Sequence, residues 1–117
     1  MELVAFLGND SESWGQVTGL INHETWEKII IIKNSHDISF TLPEHAESLV
    51  IETNKPIIEL KEEFKEKLKN KLSGFEVSLS IASGNGKEHM ALISALLSIP
   101  IGLRFVVFTK KGVETIN

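Results

Sequence analysis

The sequence is poor in several residue types that define whole classes of protein. It contains no cysteine, which excludes disulfides, thiolate-bound metals and thiol catalysis. No apolar run approaches the roughly 20 residues needed to span a bilayer, and the amino terminus, MELVAFLGND, lacks the basic segment of a secretion signal. We therefore expect a cytoplasmic protein with no membrane partner.

Positive charge is also limited. The 12 lysine and arginine residues are outnumbered by 16 aspartate and glutamate residues, which gives a formal net charge of -4 at pH 7. Proteins that bind duplex DNA neutralise many phosphates with basic side chains. We therefore expect no DNA partner, although a small anion held by backbone N–H groups is compatible with this charge.

Histidine gives no sign of a metal site. The spacing of the histidines matches no ligand pattern such as HxxxH, and they occur at His23, His36, His45 and His89. Ser35, His36 and Asp37 are adjacent in the chain and spell out a catalytic triad. In a triad the serine bonds to the histidine and the histidine to the aspartate, and side chains of adjacent residues point in different directions and cannot form this series. The segment is therefore predicted to form a turn. We expect neither a metal nor a cofactor.

Strand and helix patterns alternate along the 117 residues. Short apolar, β-branched stretches predict strands at residues 2–7, 26–33, 48–52, 75–82 and 102–109. Apolar residues at helical spacing predict helices at 14–23 and 56–72, and a third helix starts near Gly86. We therefore expect a single α/β domain over residues 1–117, a Rossmann-like three-layer sandwich with a mostly parallel central sheet of about five to six strands.

Two polar loops are predicted to meet at one edge of this sheet. In a doubly wound sheet, ligands bind beyond the carboxyl ends of the strands, where the strand order reverses. If the first and fourth predicted strands are neighbours, the loops at 8–13 and 83–89 meet there. These two loops are also the richest in glycine, asparagine, aspartate and serine. Pattern and topology therefore both predict a ligand site between them.

Residues 84–87 read Gly-Asn-Gly-Lys at the start of the third helix. Backbone N–H groups at a helix N-terminus suit a phosphate or another anion. A tight turn with a capped helix explains the same residues equally well. Lys87 is more informative, because a cation in the first turn opposes the helix dipole at a cost of up to about 1 kcal/mol. It therefore indicates an anionic partner nearby, the alternative being a surface lysine that bends away from the end of the helix.

Two known phosphate-binding motifs do not fit this turn. A P-loop requires glycine where Ile81 stands and serine or threonine where Glu88 stands, which excludes ATP hydrolysis of that type. A dinucleotide-binding fingerprint requires a third glycine in place of His89 and belongs after the first strand. Phosphate binding at this turn must therefore follow another pattern.

The two loops resemble the signature segments of CARF domains, the CRISPR-associated Rossmann-like domains that sense cyclic oligoadenylates. The first segment is Gly8-Asn9-Asp10-Ser11, and the second starts at Ser83 and reads SGNGKEHMAL. The resemblance covers nearly the whole chain in element order, but only these two segments are specific. It implies a homodimer in which both copies of the loops line one two-fold cleft. The ligand implied is a ring of four or six adenylates, the second messenger of type III CRISPR defence.

By this resemblance, the ligand-binding residues are Gly8, Asn9, Asp10, Ser11, Ser13, Ser83, Gly84, Asn85, Gly86 and Lys87. CARF domains of this kind include ring nucleases, which cleave the ring without a metal when a ribose 2′-OH attacks the adjacent phosphorus. For that reaction, Lys87 is predicted to stabilise the phosphoryl oxygens and Ser11 or Ser13 to orient the 2′-OH. His89 is predicted to protonate the leaving oxygen.

The effector segments that CARF domains usually control are not recognisable. RNase effectors carry RxxxxH, but the only arginine is Arg104, and Thr109 stands where the histidine is required. No winged-helix or nuclease-like segment follows the fifth predicted strand. We therefore expect a stand-alone domain or a part of a longer protein. The alternatives to a ring nuclease are a non-catalytic sensor that acts on a separate or missing effector, and an unrelated Rossmann-like nucleotide-binding protein.

Overall fold

A mostly parallel sheet lies between helices on both of its faces. The computed structural model describes residues 1–34 and 39–117. The strands are β1 (Glu2–Leu7), β2 (Lys28–Lys33), β3 (Ala46–Val50), β4 (Glu76–Ser80), β5 (Gly102–Thr109) and β6 (Gly112–Thr115). The helices are α1 (Trp14–Asn22), α2 (Ile57–Leu68) and α3 (Gly86–Leu97), and a short 3-10 turn (Ser11–Ser13) precedes α1. The segment Ser35-His36-Asp37, predicted to form a turn, lies outside the described residues.

The first and fourth strands lie side by side. The order across the sheet is β3-β2-β1-β4-β5-β6, in which β6 is antiparallel to β5 and all other pairs are parallel. Val4 in β1 lies opposite Ile30 of β2 on one side and Leu79 of β4 on the other. The strand order therefore reverses between β1 and β4, which confirms the predicted fold class and the predicted position of the crevice.

The side chains of β1 and β2 are buried on both faces of the sheet, as expected for central parallel strands. The four isoleucines at 29–32 are at most 1% exposed. Ile30 and Ile32 pack with α2 and α3, whereas Ile29 and Ile31 pack with α1. Each such side chain contributes about 1.5–3 kcal/mol when it leaves water. The predicted central strand is therefore confirmed, and it supports helices on both sides.

The predicted pattern of α2 is confirmed in its apolar face and wrong in its length. Leu60, Phe64 and Leu68 are fully buried, as their spacing of four residues predicts. The helix ends at Leu68, however, and the Lys71 N–H bonds to the Leu68 carbonyl in a tighter turn. Leu72 therefore lies beyond the helix, although it packs against the same core.

Three of the predicted strands have different ends in the structure. β2 starts two residues later than predicted, and β4 is shorter by one residue at its start and two at its end. β3 starts and ends two residues earlier than predicted, because its register with β2 places Ala46 opposite Ile29. Pairing within the sheet, more than local propensity, determines these ends.

A sixth strand follows the five whose positions were predicted. After β5 the chain turns at Lys110 and Lys111, and Gly112 has a φ of +106°, which favours glycine. β6 then pairs with β5 so that Val113 lies opposite Phe108. The predicted size of the sheet is confirmed, but the position of this strand was missed because its four residues, GVET, carry too little apolar pattern.

The helices are short, with 9 residues in α1 and 12 in each of α2 and α3. Within residues 1–34 and 39–117, no helix combines the length and the apolar composition that crossing a membrane requires.

Candidate functional site

The loops that follow β1 and β4 are in direct contact at the carboxyl edge of the sheet. The Gly8 N–H donates a hydrogen bond of 2.8 Å to the hydroxyl of Ser83, which is fully buried. The two backbones are so close that a Cβ on Gly8 would lie 2.6 Å from the Gly84 Cα. Only glycine at position 8 permits this approach. The predicted meeting of the two loops is therefore confirmed.

Asp10 connects the two loops through its carboxylate. Oδ1 accepts hydrogen bonds from the Ser83 hydroxyl (3.0 Å) and the Gly84 N–H (3.1 Å). Oδ2 accepts one from the Ser13 hydroxyl (2.8 Å). Burial raises the pKa of Asp10, but the hydrogen bonds from Ser13, Gly84 and Ser83 outweigh it and hold the pKa below its ordinary value. A fixed negative charge therefore lies where the loops meet.

Gly84 turns the chain from β4 towards α3. Its φ is +104°, and a Cβ at this position would lie 2.7 Å from the ring of Phe6. The backbone conformation and the available space therefore both require glycine. Two residues later the chain enters α3 at Gly86.

α3 begins with a capping box. The Asn85 side chain accepts from the Glu88 N–H, and the Glu88 side chain accepts from the Asn85 N–H, each at 2.9 Å. The pattern Asn-x-x-Glu is a sequence signature of this arrangement, so the interpretation of the turn as a capped helix is correct. The first N–H groups of any helix have no intrahelical acceptor. Those of Gly86 and Lys87 therefore suit an external anion as well.

A third loop, between β3 and α2, completes the site and was missed from the sequence. The Thr53 hydroxyl donates to Oε2 of the buried Glu88 (3.0 Å), and the Lys87 ammonium group donates to the Thr53 carbonyl (3.1 Å). α3 therefore holds this loop with two side chains. A signal was available: Thr53 follows β3 and Asn34 follows β2, so the parallel sheet places both at the carboxyl edge.

The loops that follow β1, β2, β3 and β4 line a cleft of about 350 Å³. Its lining is polar and consists of Asn9, Asp10, Asn34, Thr53, Gly84, Asn85 and Glu88. Because two of these residues carry carboxylates, the interior of the cleft repels a phosphate. Groups that suit a phosphate lie at the rim instead. Within the described residues, no group of three or more metal-binding side chains is arranged to hold a metal ion.

Lys87 and Gly86 form this rim, and both are exposed. The hydrogen bond from Lys87 to the Thr53 carbonyl lies at the surface, where such a bond contributes only about 0.5–1.5 kcal/mol. A phosphate oxygen is a stronger partner for an ammonium group than a carbonyl. A Cβ on Gly86 would meet nothing within 4 Å, so no contact within the described residues requires glycine there.

The predicted catalytic residues lie in three different surroundings. Ser11 is exposed in the 3-10 turn, whereas the Ser13 hydroxyl donates to Asp10. The Nε2 atom of His89 lies 2.7 Å from the Ser83 carbonyl. Because a carbonyl only accepts, Nε2 carries a proton and donates it. His89 thus stabilises the turn, and its catalytic role stays a prediction.

Trp14 supports the first loop from the start of α1. Its Nε1–H donates to the Gly8 carbonyl at 2.9 Å. Its ring meets Phe40 edge to face, with 6.0 Å between the ring centroids, and belongs to the core on the α1 side of the sheet. The position of the Gly8 loop is therefore determined by the core below it and by Asp10.

A larger cleft, of about 800 Å³, lies at the opposite end of the sheet. The Glu2 carboxylate in this cleft accepts hydrogen bonds from the N–H groups of Ser73 and Gly74. Arg104 pairs with Glu76 at 3.0 Å. None of the residues that line this cleft belongs to the two loops predicted to bind a ligand, so we place the candidate site at the carboxyl edge.

Comparison with known proteins is informative for solved structures. No family model matches the sequence, and no curated protein matches it. Among solved structures, the chain is similar to Csm6 of Enterococcus italicus bound to cyclic hexa-2′-fluoro-hexa-dAMP. The TM-score is 0.60 at 16% sequence identity, over 90% of this chain and 32% of Csm6.

The likeness to Csm6 concerns the fold, since so low an identity carries no residue-level correspondence. The chain spans about a third of the Csm6 chain. Both the order of the strands and this likeness support the architecture predicted from the sequence. The chain therefore has a Rossmann-like α/β fold that it shares with part of Csm6.

Proposed function

We propose that the chain binds a cyclic oligoadenylate of four or six adenylates, as a homodimer, and acts in type III CRISPR defence. The observation that carries this proposal is the junction of the two segments that resemble CARF domains. Gly8 and Asp10 of the first segment are hydrogen-bonded to Ser83 and Gly84 of the second, at the crevice where this fold binds ligands. The fold shared with a protein solved with a cyclic adenylate supports the same assignment.

The rim of the cleft suits a phosphodiester. The N–H groups at the start of α3 are positively polarised, and the exposed Lys87 adds a full charge that forms short, charge-assisted hydrogen bonds. The carboxylates of Asp10 and Glu88 in the interior accept hydrogen bonds, so they suit donors such as ribose hydroxyls or the adenine amino group. In the proposed complex the phosphates lie at Lys87, and a sugar or base points towards Asp10.

One chain offers too little space for a whole ring. The cleft of about 350 Å³ is near the lower end of small-molecule sites, which measure about 300–1,000 Å³. Such a volume holds roughly one nucleotide, whereas the proposed ring has four or six. A second copy related by a two-fold axis supplies an identical cleft to a ring of the same symmetry.

Cleavage of the ring is a second candidate activity of the same site. A ribose 2′-OH attacks the adjacent phosphorus, the P–O2′ bond forms, and the P–O5′ bond breaks to leave a 2′,3′-cyclic phosphate. The 2′-OH loses a proton and the leaving O5′ gains one. Two observations favour this activity: Ser11 is exposed and directly follows Asp10 in the chain, and Nε2 of His89 donates to the Ser83 carbonyl. His89 must first release the Ser83 carbonyl.

The main alternative is a non-catalytic sensor. Because the chain spans only 32% of Csm6, an effector on a separate or missing segment is compatible with the structure. An unrelated Rossmann-like protein that binds a nucleotide would use the same crevice. The identity of the ligand distinguishes the unrelated nucleotide-binding protein from the ring nuclease and the sensor. Cleavage of the ring distinguishes the nuclease from the sensor.

The test is incubation of the protein in EDTA with labelled cyclic tetra-adenylate and cyclic hexa-adenylate, followed by separation of bound, free and linear species. Linear product ending in a cyclic phosphate establishes a metal-independent ring nuclease. A bound but intact ring establishes a sensor. Linear oligoadenylate and duplex DNA are the controls, and we expect neither to bind comparably. If no ring is bound or cleaved, the proposal is wrong.

A further inference from the structure

One amide oxygen at the cleft is buried and lacks a hydrogen-bond donor. Within residues 1–34 and 39–117, two buried side-chain oxygens have no partner, Oδ1 of Asn34 and Oγ of Ser80. Ser80 belongs to β4 and is 1% exposed, whereas Asn34 lines the cleft. A buried acceptor without a donor is costly and rare in proteins. At this cleft, the described part of the chain therefore leaves Asn34 unsatisfied.

The sheet fixes the position of Asn34. It directly follows Lys33, the last residue of β2, which lies opposite Leu7 of β1. Asn34 thus reaches the carboxyl edge beside the loop after β1, and it lines the same cleft as Asp10. The two ends of an asparagine amide have almost the same shape. Rotation of the amide therefore turns its oxygen into the cleft without the need for additional space.

The charged groups of the cleft are acceptors. Oδ1 of Asp10 accepts from the Gly84 N–H, and Oε2 of Glu88 accepts from the Thr53 hydroxyl. An ionised carboxylate has no proton to donate. The part of a ligand that enters the cleft must therefore present donors, because a carbonyl oxygen or a phosphate placed there is repelled by the carboxylates.

Among the parts of an adenylate, the base meets this requirement best. Adenine carries an exocyclic amino group, a donor, next to a ring nitrogen that accepts, and an asparagine amide pairs with both at once. Hypoxanthine carries a carbonyl oxygen in place of the amino group. In the cleft that oxygen would face the carboxylate of Asp10 and would supply no donor to Oδ1 of Asn34. A ribose hydroxyl also donates, but it does not distinguish one base from another.

We propose that Asn34 selects the base of the ligand. Its Oδ1 accepts a hydrogen bond from the exocyclic amino group of adenine, and its Nδ2 donates to the adjacent ring nitrogen. The cleft therefore admits adenine and rejects a purine that has a carbonyl group at the same position. This inference rests on the proposed function, since it takes the ring of adenylates as the ligand, and it adds the residue that recognises the base.

Anisotropy measurements with two labelled rings, cyclic hexa-adenylate and cyclic hexa-inosinate, test the selection. We expect the wild-type chain to bind the inosinate ring about 5- to 150-fold more weakly, because one bidentate pair discriminates between bases by about that factor. Asn34→Ala should weaken binding of the adenylate ring and leave binding of the inosinate ring nearly unchanged. Asn70→Ala, at an exposed position beyond α2, is the control and should discriminate as well as the wild type.

Each part of this experiment has a result that overturns the inference. Equal affinity of the wild-type chain for the two rings shows that the cleft does not recognise the base, and this result does not depend on the folding of any variant. Full discrimination in Asn34→Ala shows that another residue makes the selection. A ring of 2′-deoxyadenylates is the third ligand. If it binds weakly while the adenylate and inosinate rings bind equally, a ribose occupies the cleft in place of a base.

The same measurements separate this inference from the proposed function. A wild-type chain that binds no ring overturns the proposed function and with it the role of Asn34. A wild-type chain that binds the adenylate and inosinate rings equally well overturns the role of Asn34 alone, whereas the binding of a cyclic oligonucleotide stands.

Discussion

The two ends of the sheet each use a carboxylate to hold a neighbouring loop. At the amino end, Glu2 accepts hydrogen bonds from the Ser73 hydroxyl (2.7 Å) and the Gly74 N–H (3.3 Å). At the carboxyl end, Asp10 accepts them from the Ser83 hydroxyl (3.0 Å) and the Gly84 N–H (3.1 Å). The two carboxylates thus have the same structural role, a negative charge that ties a serine and a glycine to the end of β1.

The surroundings of these two carboxylates differ. At the amino end the nearby charged groups pair with each other, as Arg104 does with Glu76. At the carboxyl end Gly86 and Lys87 are exposed, and no contact with residues 1–34 or 39–117 requires glycine at position 86. An exposed glycine that no contact within the described residues requires is a better indicator of a ligand site than a paired charge. On this criterion, the carboxyl end is the better candidate for a binding site.

The largest effect is expected from removal of the charge at the rim. Lys87→Ala should weaken binding of cyclic hexa-adenylate by about 10- to 100-fold, because a hydrogen bond to a charged group contributes about 1.5–3 kcal/mol. The thermal midpoint should change little, since Lys87 is exposed. Fluorescence anisotropy with a labelled ring measures the affinity. Lys67→Ala, at an exposed position of α2, is the control. Equal affinities of Lys87→Ala and Lys67→Ala for the ring would show that Lys87 does not contact the ligand.

A pair of amide substitutions compares the two carboxylates directly. Asp10→Asn and Glu2→Gln each place an N–H₂ group where the loop presents donors, so each should lower the free energy of unfolding by about 1–3 kcal/mol. Only Asp10→Asn should also weaken ligand binding. Urea unfolding and anisotropy measure the two quantities. Loss of binding in Glu2→Gln would mean that both ends of the sheet influence the ligand.

Acid should destabilise the protein by protonating the carboxylates at both ends of the sheet, Glu2 and Asp10. Burial raises the pKa values of Glu2 and Asp10, but the hydrogen bonds to the two carboxylates lower them by a larger amount. Both pKa values therefore lie below those in the unfolded chain. The two carboxylates contribute to the free energy of unfolding at pH values above their pKa in the unfolded chain, about 4. This contribution is lost as the pH falls through their pKa values in the folded chain. The free energy of unfolding should therefore decrease below about pH 4. The decrease should be smaller in each amide variant. If the free energy of unfolding depends on pH identically in the wild type, Asp10→Asn and Glu2→Gln, the loss of stability in acid does not come from these two carboxylates.

The smallest effect is expected at Gly86. A Cβ there meets nothing within 4 Å, so Gly86→Ala should raise the free energy of unfolding by about 0.4–1 kcal/mol. Ring binding should become weaker, because the added methyl group stands at the rim where the proposed ligand lies. Calorimetry and anisotropy on the same samples measure both. A variant that is more stable and binds as well as the wild type would show that the rim does not need glycine.

Much of the fold could be predicted because it depends on burial. The four isoleucines of β2 and the spacing of Leu60, Phe64 and Leu68 predict where the core lies, since apolar pattern and burial are directly related. The ends of β3 and the position of β6 could not be predicted, because they depend on which strand lies alongside. Register is a property of the sheet and not of the segment.

The candidate site, like the fold, could be predicted only in part from the sequence. The two loops were predicted to meet, since they are the richest in glycine, asparagine, aspartate and serine and the topology brings them together. Thr53 was missed because a single threonine after a strand carries no pattern of its own. The exposure of Met90 was also missed, since an apolar residue in an apolar helix indicates burial until the helix is placed against the sheet.

The most direct test of the central claim is the stoichiometry of ring binding at the carboxyl end of β1 and β4. Isothermal titration of the wild-type chain with cyclic hexa-adenylate in EDTA measures it in one experiment. We predict saturation at one ring for every two chains, with Lys87→Ala showing much weaker binding under the same conditions. Saturation at one ring per chain would contradict the shared cleft, and the absence of any binding would contradict the proposed function itself.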